Sequence, residues 1–166
     1  MENSQDRKNA SISGRRILAV DDEQDVLEVI EEQLDEADLI TALTYEMARD
    51  LIRQGGLDLV ILDIMGVRGF ELLEQTRRHK IPAVMLTAHA LNPESFQKSI
   101  DKGAVSFLPK EQLYNLRELI IEILDDVDSG RTHWIKLSQR LGPRLKEMWG
   151  QLWKEIKFPN DLNIRW

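Results

Sequence analysis

The sequence predicts an α/β fold: a doubly wound, five-stranded parallel sheet with helices on both faces, followed by a helical extension at the carboxyl end. Two observations predict the sheet. Between Arg15 and Val127, short apolar runs alternate five times with segments of 3.6-residue periodicity, the order that builds parallel strands joined by right-handed crossovers. The runs are also apolar almost without interruption, as strands covered on both faces must be. A third observation sets off the extension. Residues 1–128 hold 14 Lys and Arg against 26 Asp and Glu, a net of −12, whereas residues 129–166 hold 8 against 3, a net of +5. All four tryptophans (Trp134, Trp149, Trp153, Trp166) lie in that last stretch. The predicted divisions are therefore a disordered segment over 1–14, a domain over 15–128 and an amphipathic helical tail over 129–166.

The elements follow in order. Arg16 to Val20 reads as a buried strand that runs into Asp21-Asp22. Val26, Leu27, Val29, Ile30 and Leu34 give the first helix its period. Leu39 to Leu43 is a second strand, and Tyr45 to Gln54 a helix stopped by Gly55-Gly56. Leu57 to Leu62 is the most apolar strand and ends at Asp63. A loop punctuated by Gly66 and Gly69 leads to a helix from Phe70 to about His79. Ala83 to Leu86 is the fourth strand and ends at Thr87. Asn92-Pro93 starts a helix with a capping side chain and a proline at its first position, and Gly103 ends it. Ala104 to Leu108 is the fifth strand, ending at Pro109-Lys110, and Glu111 to about Val127 is a closing helix.

Composition excludes several function classes. With no cysteine, disulfides and thiolate metal sites do not arise, which fits a reducing compartment. No apolar run approaches the roughly 20 residues that span a bilayer, and the polar start lacks the apolar stretch of a secretory signal. A cytoplasmic protein is expected.

Open parallel sheets place ligands at the carboxyl ends of their strands. The residues leaving those ends are Asp21, Asp22, Asp63, Thr87 and Lys110: three carboxylates, a hydroxyl and an ammonium. Carboxylates gathered at one point repel one another unless a cation intervenes. All-oxygen ligands without His or Cys select a hard ion, Mg²⁺ above all. A carboxylate also serves as nucleophile in phosphoryl transfer, with metal and lysine neutralising the oxygens of the group in transit. Each residue has a plainer reading: Asp21 or Asp22 as a helix cap, Asp63 in an Asx-turn, Thr87 as a strand or cap residue, Lys110 as a solvated charge. Their coincidence at successive strand ends favours the chemistry.

Residues 15 to about 127 resemble a bacterial response-regulator receiver domain through LAVDDE, LVILDIM, VMLTAHA and FLPK at the first, third, fourth and fifth strands. The resemblance implies a CheY-like strand order 2-1-3-4-5, Asp63 as phosphoacceptor, and Mg²⁺ held by Asp22, Asp63 and the Met65 backbone carbonyl, with Asp21 acting through water. It implies Thr87 and Lys110 on the phosphoryl oxygens and Phe107 as a switch aromatic, with an ordinary core aromatic as the alternative. Met65 and His89 lie where the family tunes hydrolysis of the acyl phosphate; a loop histidine without a role is the alternative for His89. It implies a phosphorylation-dependent switch that processes no separate substrate and is therefore not an enzyme. The implied partners are a sensor histidine kinase or phosphotransfer protein, and an unknown downstream protein. Two departures stand out. The glycine after the acceptor comes six positions on, at Gly69, rather than eight, so the loop is short. Pro109 also precedes Lys110 instead of following it, so the family's cis turn is not expected. A phosphatase of the haloacid-dehalogenase type would want a second Asp where Met65 stands; a receiver-like scaffold that works without phosphorylation is the remaining alternative.

In the tail, Trp134, Leu137 and Leu141, then Leu145, Met148, Trp149, Leu152, Trp153 and Ile156, read as two short helices broken at Gly142-Pro143. No recognition-helix pattern is present and the tail is too short for an ordinary DNA-binding output domain, so no nucleic acid is expected despite its charge. The wide apolar arc of the closing helix, from Leu113 to Val127, is expected to receive the tail, in the same chain or in a homodimer. Helix-in-groove recognition of another protein and contact with a membrane surface are the other two readings.

Overall fold

Five strands, β1 (Arg16–Val20), β2 (Asp38–Ala42), β3 (Leu59–Asp63), β4 (Ala83–Thr87) and β5 (Ser106–Pro109), pair in parallel in the order β2-β1-β3-β4-β5. The structure is a computed structural model and describes residues 12–88 and 92–159. The helices are α1 (Gln24–Gln33), α2 (Tyr45–Gln54), α3 (Gly69–Arg78), α4 (Pro93–Asp101), α5 (Leu116–Asp128) and α6 (Trp134–Trp149). No helix among the described residues is long and apolar enough to cross a membrane.

Strand alternation divides the interior in two. Leu18, Val20, Val60, Leu62, Met85 and Phe107 point to one face, where they pack with α2, α3 and α4. Ile17, Ala19, Leu59, Ile61, Val84 and Leu86 point to the other, against α1 and α5. Every residue of β3 is buried, because the central strand has neighbours on both sides and helices on both faces. Local capping agrees with the sequence. The Thr44 hydroxyl accepts the Met47 N–H at 3.2 Å, and the Asn92 side chain accepts the Ser95 N–H at 2.7 Å ahead of Pro93.

Four expectations need correction. The N-terminal segment is not featureless up to Gly14: Ile12 is fully buried, and its carbonyl accepts the Arg15 N–H. A single apolar side chain gains enough from burial, about 1.5–3 kcal/mol, to pin the chain there. The closing helix starts as a 3-10 turn over Lys110–Asn115 and becomes α-helical only at Leu116, a common form for a helix beginning. The tail holds one long helix, α6, not two, followed by a 3-10 turn over Gly150–Glu155. Pro143 lies inside α6 on its exposed side, where water can satisfy the carbonyl that its missing N–H leaves. Gly142 is buried instead, and a Cβ there would lie 3.4 Å from the Trp153 ring.

The fourth correction concerns where the tail docks. It packs in cis, but its apolar stripe (Trp134, Leu137, Leu141, Leu145, Trp149) joins the cluster of α4 and β5, with Phe96, Ile100 and Phe107, rather than the arc of α5. The α5 residues are already spent on the opposite face. Towards the tail α5 presents charge: Asp126 meets Lys136 at 3.0 Å and Arg131 at 3.5 Å, and Glu122 meets Arg140 at 2.9 Å. Arg131, Lys136 and Arg140 of the tail thus face the acidic domain they belong to.

Candidate functional site

The sheet register brings the expected residues to one end of the molecule. Asp63 is the last residue of β3 and pairs with Leu86 of β4; the next residue, Thr87, pairs with Pro109 of β5. Lys110 follows at once, on the first residue of the 3-10 turn. Val20 ends the neighbouring β1 and delivers Asp21. The Lys110 ammonium lies 2.8 Å from Asp21 Oδ2, 3.3 Å from Asp63 Oδ1 and 3.4 Å from Glu23 Oε1. Asp21 is fully buried and Asp63 nearly so. The Glu23 N–H donates to Asp21 Oδ1 at 2.9 Å, which turns the other oxygen of Asp21 to the lysine.

Charge is unbalanced there. Asp21, Asp22 and Glu23 each offer a carboxylate oxygen within 4.8 Å of one another. With Asp63, four acids gather there, and three of them, Asp21, Glu23 and Asp63, meet the Lys110 ammonium. Burial, and then the Asp21 charge, raise the Asp63 pKa to about 6 against the opposing pull of Lys110. Burial raises Asp21 as well, opposed by its hydrogen bonds to Lys110 and to the Glu23 amide. Burial pulls Lys110 down, but the hydrogen bond to Asp21 and the Asp63 charge outweigh it and hold the ammonium protonated. An excess of buried negative charge made only of oxygen donors fits a hard divalent cation.

The loop after Asp63 is shaped by two glycines. A Cβ on Gly66 would occupy the position of the Asp22 carboxylate, and one on Gly69 would run into the Asp63 backbone carbonyl. The loop turns so sharply that Arg68 adopts a left-handed conformation (φ 56°) as the cap of α3. Its guanidinium lies 4.1 Å from the Tyr45 ring centre and pairs with Glu71, which holds the turn from outside. Glycine spacing announced a short loop; Gly69 is needed because that loop closes on its own start at Asp63, whereas the approach of Gly66 to Asp22 is long-range and cannot be read from spacing.

Other expected residues fall as follows. Met65 is exposed, but its carbonyl accepts both the Val67 and the Arg68 N–H groups, so the expected ligand oxygen is engaged inside the loop. Asp22 is exposed, close enough for its charge to raise the Asp63 pKa. Phe107 is 1% exposed and meets Phe96 edge-on at 5.2 Å. His89 and Trp166 lie outside the described residues. No cis peptide occurs among the described residues. Glu23, absent from the expected set, joins both the acidic group and the lysine; its place directly after the paired aspartates was the available signal.

Comparison with known proteins bears on this arrangement. The family described as "Response regulator receiver domain" matches residues 17–123. Among curated proteins, the two-component response regulator ARR12 of Arabidopsis thaliana is 32% identical over 128 residues, 70% of this chain and 21% of that protein. The transcriptional regulatory protein YrkP of Bacillus subtilis is 28% identical over 153 residues, 86% of this chain and 64% of that one. The chain thus spans about a fifth of the first relative and under two thirds of the second. A receiver domain protein (CheY-like) from Methanospirillum hungatei superposes with a TM-score of 0.64 at 27% identity, covering 70% of this chain and 98% of that structure.

Proposed function

This chain belongs to the response regulator receiver family, and on that premise we propose that it is a phosphorylation-dependent signalling switch acting through Asp63. The observation that carries the reading is the Lys110 ammonium bridging Asp21 and Asp63, at 2.8 and 3.3 Å, at the carboxyl end of the sheet. The donor is a phosphohistidine of a sensor histidine kinase or phosphotransfer protein. An Asp63 oxygen bonds to phosphorus as the phosphorus–nitrogen bond breaks, and the donor imidazole leaves with the electron pair and takes up a proton. Lys110, already against Asp63, turns to the phosphoryl oxygens, and the Thr87 hydroxyl donates to one of them. Asp21, Asp22 and Asp63 would hold Mg²⁺, which when bound neutralises the carboxylates and the incoming group. The Met65 carbonyl joins them only if it gives up an N–H within the loop.

In this reading the chain promotes only its own modification, in the cytoplasm, and its output is a changed contact with another protein. Association of two copies through the α4–β5 side would require the tail to move first. Incubation with Mg²⁺ and acetyl phosphate, followed by intact-protein mass, tests the reading. A labile gain of one phosphoryl group, absent in Asp63→Asn, is expected. An unchanged mass would instead support a scaffold that works unmodified.

A further inference from the structure

The tail straddles the free edge of β5, and two consecutive residues go to opposite faces of the sheet. His133, fully buried, places Nδ1 2.8 Å from the Ser106 hydroxyl and Nε2 3.4 Å from Glu122 of α5. Its backbone N–H donates to the Val105 carbonyl at 2.9 Å. Trp134 turns to the other side, where its indole N–H donates to the Ala104 carbonyl at 2.8 Å and its ring meets Phe96 edge-on at 5.4 Å. Phe96 also touches Phe107, Trp149, Trp153 and Phe158. One short strand with its flanks therefore carries three grips in succession: the tail at Ala104–Ser106, the aromatic cluster at Phe107, and the acidic site at Lys110.

We propose that the first contact altered by the switch is the one with the chain's own tail: docking of α6 and modification of Asp63 are coupled through β5, so that modification loosens the tail. This rests on the function proposed above and names the partner of that site. The sign follows from geometry. The docked tail is fitted to a β5 whose end is held with Lys110 against Asp21 and Asp63. A phosphoryl group on Asp63 draws Lys110 to new oxygens, and any shift of the strand end is felt at Phe107 and Ser106, because packed interiors do not deform continuously. Linkage makes the effect reciprocal. A tail that docks best on the unmodified form must oppose modification, and a loosened tail must favour it.

Every tryptophan of the chain lies in the tail, so tryptophan emission, excited beyond the absorption of Tyr45 and Tyr114, reports on the tail alone. In the full chain, addition of Mg²⁺ and then beryllium fluoride should move the emission to longer wavelength and speed amide exchange over residues 131–149, with neither effect in Asp63→Asn. In the reverse direction, His133→Ala and the milder Lys136→Ala, which removes one of the two basic partners of Asp126, should each bind beryllium fluoride with Mg²⁺ roughly 5-fold more tightly or more by calorimetry, within the usual range of such couplings. If an adduct forms by mass while emission and exchange stay unchanged, or the emission moves to shorter wavelength, the coupling is overturned and the phosphorylation reading survives. An unchanged beryllium fluoride affinity in a variant whose tail is shown by exchange to be loose overturns it equally. If no adduct forms, both fall.

Discussion

Asp63 carries a burden that the unmodified, metal-free chain must bear. Its pKa stands at about 6 against the ordinary carboxylate value of 3.8, because burial and Asp21 disfavour its charge. A carboxyl held above its unfolded value contributes stability that is complete below about pH 3.8 and is lost as pH rises through about 6. Asp63→Asn should therefore raise the melting temperature of metal-free protein at pH 7.5, by a gain on the order of 1–3 kcal/mol, and the gain should vanish near pH 4. A melting curve in chelator at the two pH values decides this, and an equal effect at both would contradict it. Gly69 has the opposite character. Its missing side chain leaves room for the Asp63 carbonyl, so Gly69→Ala should destabilise by roughly 1–3 kcal/mol, as overpacked sites do, read as a lower urea midpoint. The meeting of Asp21, Asp63 and Lys110 was legible in the sequence, since strand ends in a parallel sheet must converge. The engaged Met65 carbonyl was not, because it depends on how a five-residue turn folds back on itself, and Glu23 was signalled only by its place directly after the paired aspartates.

At the scale of elements, strands and helices reached the structure almost as read, and the exceptions share a cause. Gly142-Pro143 signals a break by local propensity, yet α6 runs through it because Leu141 and Leu145 on either side are buried in the core and tertiary packing overrides local preference. Pro143→Ala should then stabilise, by up to about 3 kcal/mol, since it restores a helical hydrogen bond on an exposed face; thermal melting would show it. Trp134→Ala should cost about 3–5 kcal/mol as a buried aromatic and also leave the Ala104 carbonyl without its donor. His133 adds a pH dependence. Burial lowers its pKa below 6.5, with Glu122 and Asp126 of α5 opposing and Arg140 of α6 reinforcing, while Ser106 of β5 engages Nδ1. A histidine with a depressed folded pKa holds its stabilising effect above about pH 6.5 and loses it as pH falls below that value. Exchange over residues 131–149 should accelerate on acidification through that range, and less so in His133→Ala.

The whole molecule unites two compositions that looked separable. The acidic domain and basic tail were legible as distinct stretches, but not as one packed body, because the pairing of Glu122 and Asp126 with Arg140 and Lys136 involves residues assigned to different segments. Nor did the apolar count along α5 reveal which side the tail would choose; helix periodicity says how wide a face is, not what already covers it. The docked tail has one more effect, which concerns solubility. By taking up the carbonyls of Ala104 and Val105, it covers the backbone leading into the edge strand β5. Proteolytic nicking in the short connection around Gly130, followed by loss of the tail, would leave those carbonyls and the edge of β5 bare beside exposed aromatic rings, ready to stitch one molecule to the next. Clipped preparations should therefore cloud on standing while intact protein stays clear.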